Sequence, residues 1–189
     1  MKAQLAQLGI FIILFLSIKT VNGQNSVEQN LARVSKVNNK LVFLFAEPIG
    51  EYEVVFTFEN HISNYLCANP SQVVIASISN ANQEAGNQNK LYDAIIVSNG
   101  SPRDMAIVWK DKSNDNSFAR VKTIEGRPVF VECEPIRGYE VLGKYVLKKC
   151  VGMQRSIDQL IKKSRKEKGD RVAVFYGSTK YDLVIRLKE

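Results

Sequence analysis

Two stretches of this 189-residue chain, EPIGEYEV at 47–54 and EPIRGYEV at 134–141, carry nearly the same phrase. Setting residues 31–55 over 118–142, a shift of 87, gives 11 identities in 25 positions without a gap. Unrelated segments of that length match at about one or two positions, so an internal duplication is the first constraint on the fold. The match returns at a shift of 78 near the end of each half. There Ala94-Ile95-Ile96-Val97 lies over Val172-Ala173-Val174-Phe175, and Asp104-Met105-Ala106-Ile107 over Asp182-Leu183-Val184-Ile185. The first half therefore holds nine more residues in between (87 minus 78), and Asn-, Gln- and Gly-rich Gln83–Lys90 is the expected surface loop for them.

Each half helps to read the other. Residues 31–37 and 118–124 are β-prone and run into Asn38-Asn39 and Glu125-Gly126, two-residue connections that tolerate positive φ and predict hairpins. Strands are expected at 41–46 and 129–133. The Glu-Pro-Ile corners follow, where proline withholds a ladder donor. Strands at 52–58 and 139–147 come next. In the second half, Ser156 and Gln159 read as a capping box. Met153, Ile157, Leu160, Ile161 and Ser164 share one helical face, and Gly169 suits the C-cap. In the first half, Gln72–Ser79 is rich in β-branched residues, yet Asn69-Pro70 is a good helix start and the repeat assigns a helix. Strands 93–98 and 104–109, then 171–176 and 182–188, close the two units. The expected fold is α+β: two tandem repeats, 27–110 and 118–189, joined by the polar linker 111–117. Each is a mainly antiparallel sheet of about five strands with one helix, in the order β-β-β-α-β-β.

The N-terminus sets the compartment. Lys2, the apolar run Ile10–Leu16 and the small residues Val21 and Gly23 read as a signal peptide at 1–23, the run being shorter than the ~20 residues a bilayer span needs. The mature chain is expected to be exported, periplasmic or secreted, with no integral membrane segment. Losing Lys2 and Lys19 takes the formal charge from +7 to +5, a moderate positive balance. Cys67, Cys133 and Cys150 allow three disulfide pairings and fit no zinc pattern.

The strand-strand-helix-strand-strand core, the Glu-Pro…Tyr-Glu-Val opening and the terminal YDLVIRLK resemble small bacterial export-associated modules of unassigned function. In outline they are also similar to YbjQ-type proteins, associated with heavy-metal binding, and to the periplasmic domain of the Rcs stress-sensing lipoprotein. The resemblance covers about two thirds of each repeat and implies fold outline and compartment. A metal role does not carry over, since the chain has one histidine and no Cys-x-x-Cys, and the lipoprotein's anchoring cysteine is missing.

Candidate site residues come in two sets. The positions written in both halves, Glu47, Tyr52, Glu53, Glu134, Tyr139 and Glu140, are acids and phenols that could serve acid–base chemistry, or plain turn and strand residues copied with the rest. The second set is the basic helix, with Arg155, Lys162, Lys163, Arg165 and Lys166, a face for an anionic envelope polymer or simply a wet one. No aromatic residue interleaves those cations, so nucleic acid is not expected. The first helix is almost uncharged and is expected to lay its apolar surface on the other repeat. His61 has no nucleophile elbow to serve, and Asn99-Gly100-Ser101 matches a glycosylation acceptor that a plain turn also explains. The functional expectation is an exported, non-enzymatic binding or scaffolding module without cofactor or metal, with a protein or anionic polymer as partner. A hydrolase using the repeated acids is the other class.

Overall fold

The computed structural model describes residues 29–59, 69–97, 103–147, 152–177 and 180–189. The first half runs β1 (Leu31–Val34), β2 (Lys36–Val37), β3 (Lys40–Leu44), β4 (Ala46–Pro48), β5 (Tyr52–Glu59), α1 (Pro70–Gln88), β6 (Ala94–Val97) and β7 (Arg103–Trp109). The second runs β8 (Phe118–Val121), β9 (Thr123–Ile124), β10 (Arg127–Val131), β11 (Cys133–Pro135), β12 (Tyr139–Tyr145), α2 (Met153–Ser164), β13 (Val172–Tyr176) and β14 (Asp182–Leu187). The chain is α+β, mostly sheet with two helices. The predicted signal peptide, His61, Cys67, Cys150 and the Asn99 acceptor lie outside the described residues.

Two sheets have five strands, ordered β2-β3-β6-β7-β5 and β9-β10-β13-β14-β12. In each, one neighbouring pair is parallel (β3 with β6, β10 with β13) and the others are antiparallel. The hairpins sit at the expected turns. Asn38 and Asn39 take φ of 49° and 62°, Glu125 and Gly126 take 50° and 75°, the left-handed pair that twists with the strands it joins.

The long strands expected at 31–37 and 41–46 are instead broken, as are their partners at 118–124 and 129–133. The pieces serve different sheets. Phe45 (φ 61°) and Glu132 (φ 51°) bend the chain between β3 and β4 and between β10 and β11. Positive φ is uncommon for a residue with a Cβ, so both bends are enforced by what surrounds them. The detached pieces form a third, four-stranded sheet, β11-β1-β8-β4. In it β1 pairs with β8 and β11, and β8 with β1 and β4, so every pairing in this sheet joins the two halves. Ala32 opposes Ala119, Leu31 opposes Arg120 and Arg33 opposes Phe118. Positions 87 apart thus trade places across a local two-fold.

One buried cluster lies under the helices. It takes Val42, Leu44, Phe56, Val73 and Ile78 from the first half and Val129, Val131, Ile157, Leu160 and Val174 from the second. The opposite faces of the five-stranded sheets, with Phe43, Ile96, Trp109, Phe130 and Ile185, join the inner residues of the third sheet, Ala32, Val34, Ala119 and Val121, in a second cluster. Phe43 and Phe130, 87 apart, are both fully buried, each worth roughly 1.5–3 kcal/mol of transfer free energy. Phe43 meets Trp109 edge-on at 5.9 Å.

Both helices depart from expectation. α1 has its full capping box at Asn69 and Gln72, but it runs to Gln88, through the stretch expected to be a loop. Ala81 is buried and Ala85 packs on the core, so the helix keeps a reason to continue. Asn82 accepts a bond from the Tyr92 hydroxyl at 2.6 Å, and the left-handed Asn89 ends the helix. The two buried helical stripes align at a shift of 83, so four of the nine extra residues (87 minus 83) precede α1 and five (83 minus 78) follow its stripe, where α1 runs on to 19 residues against 12 in α2. α1 lies chiefly on β3, β5 and β6 of its own half, and meets the other half at its first turn, where Ser71 bonds to Glu132, and in the shared cluster with Val129 and Val131. The spacing of Val73, Val74, Ser77, Ile78 and Ala81 gives one inward stripe. In α2 the N-cap is Gly152. Ser156 is instead buried inside the first turns, its hydroxyl donating to Gly152 O at 3.1 Å. The helix stops at Ser164, five residues before Gly169, where Arg127 donates to the carbonyls of Ser164 and Glu167.

Candidate functional site

A cleft of about 270 Å³ opens where the first turns of α1 meet the β10–β11 bend of the other half. Its body is apolar, made by Val37, Val42, Val74, Ile75 and Phe175. Its polar groups are Ser35, Ser71, Glu132 and Glu134, with Cys133 and Gly177 completing the wall. The proline-started, capped N-terminus of α1 fixes Ser71, whose hydroxyl donates to the Glu132 carboxylate at 3.2 Å. The left-handed turn at Glu132 is what aims that carboxylate across the gap between halves.

The second half supplies the back of the site. Cys133 is a free thiol, buried, and pushed up to about 12 by burial and then by the carboxylates of Glu132 and Glu134. It stays a thiol at ordinary pH and packs as a small apolar group. Beyond Gly177, Asp182 is buried and raised to about 6 by desolvation, against the bond it accepts from the Gly177 backbone. Tyr176 is raised by burial and hydrogen-bonded to Ser156. In the first half the matching Asp104 is buried and accepts from the Ser77 hydroxyl at 3.3 Å.

The repeated acids and phenols are not gathered into one place. Glu134 reaches the cleft; its position in the ladder is opposite Arg33, as that of Glu47 is opposite Arg120. Glu53 is exposed on β5, and Glu140 on β12 pairs with Arg186 at 2.6 Å. Tyr52 stands edge-on to Trp109 and, like Tyr139, packs against the inner core. They sit on the joint, in β4 and β11, and on the flanking strands β5 and β12. Among the described residues, no group of three or more His, Cys, Asp or Glu side chains is placed to hold a metal.

The basic face is exposed as expected. Arg155, Lys162, Lys163, Arg165 and Lys166 all lie at the surface of α2 or just past its end. Arg165 is engaged by Glu125 through two bonds of 2.9 and 2.6 Å, and Lys163 lies 5.9 Å from the centre of the Tyr145 ring. Among the described residues no helix is long and apolar enough to cross a membrane.

Glu132 and Ser71 were not among the sequence candidates. A signal for Glu132 was nonetheless present. Within the gap-free repeat it is the acid that stands where the other half has Phe45, and an apolar position turned acidic marks a local change of use.

Comparison of the chain with protein-family models, with curated proteins and with solved structures finds no match.

Proposed function

We propose that this chain is an exported, non-enzymatic binding module made by duplication of one α+β unit, and that its ligand seats in the cleft between the halves. The observation that carries the reading is the shape and chemistry of that cleft. It is a concave apolar surface with a few convergent polar groups at a boundary between two packed units, the usual setting of a small-molecule or side-chain site. The matching strand orders of the two five-stranded sheets support the duplication, and the resemblance to exported bacterial modules supports the compartment.

The test is a fragment screen on ¹⁵N-labelled protein. Hits should shift the amides of Val42, Val74 and Phe175 in a saturable way and be recovered chemically unchanged. Ile75→Trp, which fills the rim from a residue already 55% exposed, should abolish those shifts while leaving the rest of the spectrum intact. Hits that scatter over the surface, or that emerge as products, would count against the reading.

A second reading, a binder of anionic polymer, is favoured by the exposed cations of α2. Arg155 and Lys162, seven residues apart, are spaced to share one side of α2, and Lys163, Lys166 and Lys168 add charge at and just past its end.

A further inference from the structure

From the molecule's own internal comparison we infer that the cleft takes a primary ammonium carried on a compact apolar body, an arylalkyl or branched alkyl amine. This rests on reading the cleft as a ligand site and adds the chemistry of the ligand. The buried face of α1 (Pro70, Val73, Val74, Ser77, Ile78, Ala81) matches that of α2 (Met153, Ser156, Ile157, Leu160, Ile161, Ser164) at a constant shift of 83. The strands match at 87. Every wall of the cleft on β2, β3, α1 and the β10–β11 bend therefore has a counterpart on the opposite side of the two-fold.

There the bend itself carries an apolar side chain. Phe45 replaces Glu132 at the same left-handed bend, with its ring buried in the core. Lys122 replaces Ser35 and lays its ammonium 5.5 Å from the centre of that ring. Its backbone N–H also donates to the Phe45 carbonyl at 3.2 Å. On that side the chain itself supplies an apolar body with a cation upon it. The bend at the cleft carries neither, and among the described residues its polar rim holds two carboxylates and no basic side chain. An anion would meet Glu132 and Glu134 at close quarters in a partly dry site, whereas an ammonium would meet complementary charge. The volume suits one side chain or a small amine, being just below the range of drug-sized pockets. The same chemistry could arrive free or as a lysine side chain of another protein.

The probes are 2-phenylethylamine, its neutral analogue 2-phenylethanol and its anionic analogue 3-phenylpropionate, titrated into the full-length mature protein and followed by amide shifts. Nα-acetyl-lysine amide tests the side-chain source. The amine should bind saturably at the cleft and at least tenfold more tightly than the alcohol, with no shift from the anion. Glu132→Gln should cost the amine about tenfold and leave the alcohol unchanged. Glu132→Phe, which places at this bend the side chain that Phe45 carries in the same backbone conformation, should close the site to every probe. Alcohol binding equal to amine binding, or insensitivity of the amine to Glu132→Gln, overturns the ammonium inference while the cleft remains a ligand site. Cleft amides unmoved by any probe or by any screened fragment overturn both. Stronger response to the lysine amide than to the free amine assigns the occupant to a partner chain.

Discussion

Asp182 shows how one buried acid sets a pH dependence. Its pKa in the fold is raised to about 6 from 3.8, chiefly by desolvation. An acid of this kind holds its proton more readily in the folded chain than in the open one. Its cost to stability is therefore absent below about pH 3.8, grows through the window up to about 6 and is complete above it. Asp182→Asn keeps an acceptor for the Gly177 N–H and removes the charge. It should stabilise the protein by about 1–2 kcal/mol at pH 7.5, and the gap should close at pH 4. Urea unfolding at the two pH values measures it, and a gap of equal size at both would assign the effect to something other than the buried charge. Glu125 works in the opposite sense, since its bonds from Arg165 lower its pKa and their contribution fades in acid. At this scale the sequence shows which acids recur, because Asp104 and Asp182 align. It does not show that they are buried. Burial at these positions comes from the helix that crosses each sheet, a tertiary matter that no local pattern encodes.

The two helices divide the work between packing and surface. α1 has no basic residue in its last turn and no acid in its first, and it relies on its cap and its sheet. α2 presents cations along its exposed side and keeps a narrow apolar stripe inward. Polymer binding, in the second reading, belongs to this element. The protein should then be retained on heparin at about 50 mM salt and released by about 200 mM, as expected when several cations displace counterions. Lys162→Glu with Lys166→Glu should weaken retention about tenfold, and a double variant that elutes with the parent would remove α2 as the contact. Arg165 is a poor choice for this test because Glu125 already holds it. Helix existence was readable in both halves, in the first only by borrowing from the second. The ends were not. Ser156 and Gly169 have the right residue types for caps, but Gly152 and the Arg127 guanidinium terminate α2 through contacts made elsewhere in the fold. The Gln- and Asn-rich tail of α1 looked like a loop because its helical reason is packing by Ala81 and Ala85.

For the molecule as a whole, the third sheet decides what can exist alone. Neither half owns it, since β1 is flanked by β8 and β11 while β8 is flanked by β1 and β4. Residues 27–110 or 118–189 expressed separately should lack cooperative thermal unfolding and give poorly dispersed amide spectra. Mixing them should restore both signals. A half that melts cooperatively by itself would show that the joint is optional. Asn38-Asn39 and Glu125-Gly126 made two of the hairpins legible in the sequence. It was silent on the exchange of short strands, because pieces of three or four residues carry no periodicity of their own and the bends at Phe45 and Glu132 break the usual rule for positive φ. The exchange also has a bearing on synthesis. Ala32 pairs with Pro135 as well as with Ala119, so a nascent chain holds β1 without its sheet neighbours until most of the polypeptide has left the ribosome. Closure over so long a separation is slow, and the interval leaves bare strand edges in need of a chaperone's cover.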